Sequence, residues 1–278
     1  MSGEADAEMI TGREFTFTPQ DFERIRTMIY DRAGISLNFS KQEMVYSRLA
    51  KRLRANNLAA FSEYIALLDR GNTQEWEAFI NALTTNLTYF FREAHHFALL
   101  AEHVKSAKHP VLLWCAASST GEEAYSMAMT MAELYGSMNP PVRIIASDVD
   151  TTVLEKARAG VYNLSQIERL PHEKFRKYFT EAPGNQVRIC TEIKNMITFT
   201  KINLLDERWP VKGPFDAIFC RNVMIYFDKK TQARILEKFA PLLRQDGLLF
   251  AGHSESFHHV ANLFRLRGKT VYELASHG

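Results

Sequence analysis

Val111-Leu112-Leu113-Trp114-Cys115 is an unbroken apolar run and reads as a buried strand. The loop after it, Ala117-Ser118-Ser119-Thr120-Gly121, is small and hydroxyl-rich, and Ala124, Ala128, Met131 and Tyr135 then recur at helical spacing. A strand feeding a helix through such a loop brings unpaired backbone N–H groups and a helix N-terminus to one point, which suits a nucleotide-like ligand. Thr120-Gly121-Glu122-Glu123 also has the form of a capping box, with Thr120 as N-cap and Glu123 at its third position. The glycine-rich dinucleotide fingerprint is absent. The next apolar stretch, residues 142–147, ends in Asp148. An acidic residue ending the second strand is placed to accept hydrogen bonds from ribose hydroxyls. Asp148 or Asp150 would equally cap a helix starting near Thr151.

From Pro110 onward strand and helix patterns alternate, which predicts an α/β unit with a parallel sheet. Residues 215–220 form another apolar run, with Arg221-Asn222 at its C-terminal end. That is the edge of an open sheet where ligands bind. Residues 229–243 read as an amphipathic helix stopped at Asp246-Gly247, 248–252 as a strand, and 263–266 with 270–274 as a closing pair. Between about 161 and 200 the pattern changes to short helical pieces, a turn at Pro183-Gly184-Asn185, and strands at 187–190 and 196–200. His253-Ser254-Glu255 suggests hydrolase chemistry, but no Gly-x-Ser-x-Gly elbow occurs.

Residues 1–14 are acidic and polar and are expected to be disordered. Four helices follow. The first, 21–33, places Phe22, Ile25 and Ile29 on one face and ends at Gly34; the second opens with the capping box Ser40-Lys41-Gln42-Glu43 and carries Val45, Leu49 and Leu53. The third carries Phe61, Tyr64, Ile65 and Leu68, and the fourth Trp76, Phe79, Ile80 and Leu83. Lys41, Arg48, Lys51 and Arg52 fall in one arc of the second helix, roughly 100° wide, extended by Arg54. Such an arc is a solvated face or a dock for an acidic surface. A formal net charge of +2 gives no bulk pull toward nucleic acid. No apolar run has the length of a membrane span. Cys115, Cys190 and Cys220 lack metal-ligand spacing and suit a reducing compartment. Arg92, after three aromatics, is a packed surface residue or a carboxylate clamp. His95 and His96 read as ordinary helix-start residues.

Ser119-Thr120-Gly121-Glu122-Glu123-x-Tyr125-Ser126 with Ala146-Ser147-Asp148 resembles the chemotaxis receptor methyltransferases, the CheR family. Thr85-Asn86-Leu87-Thr88-Tyr89-Phe90-Phe91-Arg92 upstream and residues 215–227 downstream extend the likeness over nearly the whole chain. Ala124 stands where the family usually has proline. The resemblance implies a Rossmann-like S-adenosylmethionine-dependent methyltransferase sheet (89–278), an all-helical N-terminal domain (15–88), and a small antiparallel β-subdomain inserted at about 161–200. It implies a protein-glutamate O-methyltransferase that esterifies glutamates of methyl-accepting chemotaxis receptors and releases S-adenosylhomocysteine, with no metal. Asn86, Thr88, Arg92, Glu123, Asp148, Asn203, Leu204, Arg221 and Asn222 are the implied cofactor contacts. Arg92 and Tyr226 would stand at the transfer centre. Lys41, Arg48, Lys51, Arg52 and Arg54 would dock the receptor's cytoplasmic helices. The same resemblance implies a cytoplasmic monomer recruited to membrane receptor arrays, without nucleic acid or membrane insertion. The short turn at 183–186 leans against dependence on a tethering peptide. The alternatives are a non-catalytic S-adenosylmethionine-binding signalling or scaffold protein, and a methyltransferase with another substrate. Arg221-Asn222-Val223-Met224 is unlike the Asn/Asp-Pro-Pro-aromatic run of exocyclic-amine methyltransferases.

Overall fold

Phe22, Ile25 and Ile29 recur at the spacing of one helix face. In the computed structural model, which describes residues 13–275, all three are buried on α1 (Pro19–Ala33). Thr18 and Asp21 cap its start reciprocally, and Gly34, at φ 69°, ends it. α2 (Gln42–Ala55), α3 (Phe61–Asp69) and α4 (Thr73–Leu83) add Val45, Leu49, Leu53, Phe61, Tyr64 and Phe79 to the same apolar core. The capping box expected at Ser40 does not form. Lys41 takes the N-cap position of α2 without a side-chain bond, Ser40 Oγ donates to Asn38, and Glu43 pairs instead with Arg13. Of the segment expected to be disordered, residues 1–12 lie outside the described residues, whereas Glu14 is ion-paired with Arg54. The chain divides into two units between Thr85 and Asn86, so Asn86 and Thr88 belong with Arg92 in the second.

The second unit begins with α5 (His95–Val104), β1 (Val111–Cys115), α6 (Glu122–Leu134), β2 (Val142–Asp148) and α7 (Thr151–Ala159). β3 (Val161–Asn163), α8 (His172–Tyr178), β4 (Phe179–Ala182), β5 (Gln186–Ile189) and α9 (Thr191–Asn195) follow. β6 (Ile197–Lys201), β7 (Phe215–Phe219), α10 (Lys229–Phe239), β8 (Leu243–Phe250), β9 (Phe264–Gly268) and β10 (Val271–Leu274) complete it. Among the described residues the main sheet has seven strands in the order β6-β2-β1-β7-β8-β10-β9. The first five run parallel, and β10 is antiparallel to both neighbours. Strand alternation sends successive side chains to opposite faces. Leu113 and Cys115 therefore join the core under α5 and α6, while Trp114 joins the core built by α10.

A separate antiparallel sheet, β3-β5-β4, forms the expected insertion. It ends earlier than the sequence pattern suggested. Residues 197–201 are strand, but they pair parallel with β2 at the edge of the main sheet. Asp246-Gly247 is likewise not a helix stop. α10 ends at Phe239, and β8 already runs from Leu243 through Gly247, with an irregular register opposite Phe215. A Cβ on Gly247 would lie 2.9 Å from the Phe215 carbonyl oxygen, so only glycine lets the two strands approach there.

Candidate active site

β1 has β2 on one side and β7 on the other, and the chain leaves β1 in one direction before returning to the opposite flank. This is the topological switch point of an open sheet, where strand order opens a crevice beyond the C-terminal ends. The loops after β1, β2 and β7 all emerge there.

The β1 loop is closed on the sheet. Ser118 N–H donates to Ser147 O at 2.8 Å, Ser119 N–H to Asp148 Oδ2 at 2.8 Å, and Gly121 N–H to Ser118 O at 2.9 Å. The amides expected to be unpaired are thus in part already engaged, and the loop's shape rather than a row of donors is what it offers. Ser119 and Gly121 take positive φ, 47° and 100°. A Cβ on Gly121 would lie 2.9 Å from Ala157 Cβ and 3.0 Å from the Tyr162 hydroxyl. The expected capping box is absent here too. Gly121 itself is the N-cap, Thr120 Oγ1 donates to Glu122, and Glu123 points elsewhere.

Glu123 is held by Arg221. Arg221 Nη1 donates to Glu123 Oε2 at 2.7 Å, and the Cys115 thiol donates to Oε1 at 3.2 Å. Burial pushes the Glu123 carboxyl's pKa up, and the guanidinium opposes it. Arg221 Nη2 donates to the Arg92 carbonyl at 2.6 Å and lies 3.3 Å from Glu93 Oε2. Its guanidinium has no exposed surface and sits over the rings of Phe97 and Phe219. Arg221 is therefore a hub joining the ends of β7, α6 and the 86–94 segment. The half-buried Arg92 directs Nη1 to Leu87 O at 2.9 Å.

Asp148 is half-buried and accepts from Ser119 N–H and, at 3.0 Å, from Asp150 N–H. Burial raises its pKa to about 6 against the opposing pull of these amides. The structure separates the two aspartates. Asp150 caps α7 through Thr152 N–H at 2.9 Å and Val153 N–H at 3.3 Å, leaving Asp148 at the strand end. Asn86 Nδ2 donates to Asp150 at 2.8 Å, and its carbonyl accepts from Ser119 Oγ at 3.2 Å. Asn86 thus braces the two loops. Asn203 follows β6, whose last residue Lys201 is in register with Asp148. Its Oδ1 accepts from Leu205 N–H at 3.0 Å, and its carbonyl accepts from Trp209 Nε1 at 3.1 Å. The Leu204 side chain is buried in the core under α10. Thr88 is half-buried. Asn222, at φ 59°, and the half-buried Tyr226 lie on the β7 loop. Gln232 holds that loop by donating to Met224 O at 2.8 Å and Phe227 O at 3.1 Å.

Several residues at this site carried no local signal. Glu93, at φ 55°, pairs with Arg221 far along the chain. His96 is not an ordinary helix-start residue. It is fully buried, 2.8 Å from the Lys269 carbonyl, and burial lowers its pKa to about 4. Among the described residues no cluster of three or more His, Cys, Asp or Glu is arranged for a metal ion.

The five basic residues of the first unit separate into two kinds. Arg48 Nη1 donates to Leu83 O and Thr84 O at the end of α4, at 3.1 and 2.7 Å. Arg52 makes a two-pronged pair with Glu75, at 2.9 and 2.6 Å. Arg54 pairs with Glu14 on the surface, and Lys41 and Lys51 are exposed. Arg48 and Arg52 therefore hold the helices together rather than forming part of a free basic face.

Residues 86–273 match the family model described as "CheR methyltransferase, SAM binding domain", and residues 20–84 match "CheR methyltransferase, all-alpha domain". The chain is 50% identical to the chemotaxis protein methyltransferase of Salmonella typhimurium, covering 99% of this chain and 96% of that one. It is 52% identical to the Escherichia coli protein of the same name, over 91% and 90% of the two chains. It is 49% identical to chemotaxis protein methyltransferase 2 of Pseudomonas aeruginosa, over 95% and 96%. The chain belongs to the CheR methyltransferase family, with that family's all-helical and S-adenosylmethionine-binding domains.

Proposed function

We propose that this protein moves a methyl group from S-adenosylmethionine to glutamate side chains of methyl-accepting chemotaxis receptors, forming methyl esters. What supports the reading is that the strand ends at the sheet's switch point carry Asp148, bonded to the β1 loop, and are followed by Arg221, bonded to Glu123 and to the Arg92 carbonyl. The donor set suits the cofactor. Asp148 offers a carboxylate to two ribose hydroxyls, Glu123 a carboxylate to the methionine ammonium, and Asn222 an amide to the same end. Asn86, Thr88 and Arg92 would bound it on one side, Asn203 and Leu204 on the other, with Arg221 holding Glu123 in place.

Bound S-adenosylmethionine supplies a methyl group on positively charged sulfur, an electrophile that needs no metal. A receptor carboxylate is already ionised at neutral pH, so the protein needs no general base. Arg92 orients that carboxylate through its remaining N–H donors, and Tyr226 keeps the approach in line. The incoming carboxylate loses its charge in the reaction. A crevice that strips its water therefore favours the step, provided Arg92 does not hold the anion too tightly. Lys41, Lys51 and Arg54 provide the basic face that meets the receptor's acidic cytoplasmic helices, with Arg48 and Arg52 as its internal supports. This reading places the protein in the cytoplasm, as a monomer acting at membrane receptor arrays.

The test is incubation with methyl-labelled S-adenosylmethionine and receptor-rich membranes, followed by mild alkali. Release of labelled methanol is the expected result. Binding of the cofactor without any transfer would favour the non-catalytic reading, and alkali-stable label would point to another acceptor.

A further inference from the structure

Gly252-His253-Ser254-Glu255 follows β8 and lies against the loop after β7. Glu255 is only 5% exposed. Its Oε2 accepts from Gly252 N–H at 2.5 Å and Asn222 N–H at 3.0 Å, and its Oε1 accepts from Ile225 N–H at 3.3 Å. All three donors are backbone amides. One carboxylate thus closes its own turn and grips the β7 loop at two points. Burying a carboxylate is costly unless its lone pairs are met, and burial does push its pKa up while these amides pull it back.

The gripped loop is in an unusual conformation. Asn222 has φ 59°, the left-handed region that asparagine tolerates better than most residues. The two loops also approach closely. A Cβ on Gly252 would lie 2.8 Å from Asn222 N and 2.3 Å from its Nδ2. Glu93 Oε1 adds a looser tie, 3.4 Å from His253 N and 3.5 Å from Asn222 Nδ2.

We propose that Glu255 is a positioning residue for methyl transfer. By accepting from the amides of Asn222 and Ile225 it fixes the left-handed turn, and so sets where the Asn222 amide and the Tyr226 ring stand. This rests on the roles given to Asn222 and Tyr226 above. Glu255 itself touches neither donor nor acceptor.

The test compares Glu255→Gln and Gly252→Ala with two references. Asp216→Asn alters an equally buried carboxylate on β7, the strand that feeds the gripped loop, one that accepts from Leu112 N–H at 2.8 Å. Asp148→Asn alters the proposed ribose contact. Thermal melting, S-adenosylhomocysteine titration and receptor methylation are measured on each. Glu255→Gln keeps the shape but turns an NH2 toward an amide donor. It is expected to melt cooperatively, near Asp216→Asn, with S-adenosylhomocysteine affinity and kcat each about tenfold lower and the KM for receptor unchanged. Gly252→Ala should show the same signature from the other side of the contact, and it carries the test if Glu255→Gln does not fold. Wild-type affinity and kcat in the folded variants, or the same losses in Asp216→Asn, would overturn the proposal. If Asp148→Asn weakens binding while they do not, Glu255 alone is misassigned. If Asp148→Asn also binds normally, the crevice reading has failed and the positioning role falls with it.

Discussion

Arg221 carries a guanidinium with no exposed surface, bonded to Glu123 and to the Arg92 carbonyl and close to Glu93. Removing it leaves two carboxylates in low-dielectric surroundings without their cation. Arg221→Ala is therefore expected to cost about 3–5 kcal/mol, measured by chemical denaturation. A loss within experimental scatter would mean that the pair relaxes into solvent. Asp148 makes a pH-dependent prediction. Burial pushes its pKa up to about 6, and the ionised form is the stronger acceptor for two hydroxyls. Cofactor affinity should be level above pH 6 and fall by up to about tenfold per pH unit below it. Asp148→Asn should bind more weakly by about 1–3 kcal/mol and lose that pH dependence. Asp148 and Arg221 were legible because each ends an apolar strand run. Glu93 and Glu255 were not, because each is defined by partners distant in sequence. The only local sequence signal at Glu255 is the likeness of His253-Ser254-Glu255 to hydrolase residues.

At the scale of the element, α2 shows what a charge pattern can and cannot say. The buried stripe Val45, Leu49, Leu53 was readable from spacing alone. The basic arc beside it was readable as charge but not as geometry, since Arg52 turns to Glu75 and Arg48 to the end of α4. Both expected capping boxes are absent because each helix is capped one residue later, at Lys41 and Gly121, while Glu43 and Glu123 pair with arginines that local sequence does not reveal. Strand identity at 197–201 was likewise plain, but its partner was not, because alternation fixes faces and not neighbours. Arg52→Ala is expected to destabilise the helical unit by about 1–3 kcal/mol by stranding Glu75. Lys51→Ala should leave the melting temperature unchanged and raise the KM for receptor, more at low salt than at high. Burial pushes the Glu75 carboxyl's pKa up, but hydrogen bonds from Arg52 and Tyr64 outweigh it and hold it below the usual glutamate range. A lowered carboxylate pKa stabilises the folded state above the unfolded value and ceases to do so as pH falls through the folded one. Glu75→Gln should therefore flatten the acid limb of the unfolding curve.

For the whole molecule, the alternating pattern after Pro110 and the helical stripes before Thr85 placed the chain in its architecture. The small inserted sheet was visible as a change of composition, and its true end required the β2–β6 pairing. The proposed chemistry asks little of the protein beyond orientation, so loss of an orienting group should spare the fold. Arg92→Ala is expected to melt like the wild type and bind S-adenosylhomocysteine, yet methylate receptor at least tenfold more slowly, an effect on the order of 1.4 kcal/mol. Unchanged turnover would remove Arg92 from the reaction. The most direct measurement is a crystal structure of the protein with S-adenosylhomocysteine. The ribose is expected on Asp148, the amino group at Glu123, and the sulfur facing the opening between Arg92 and Tyr226. A ligand seated elsewhere, or a crevice closed by the protein's own side chains, would contradict it.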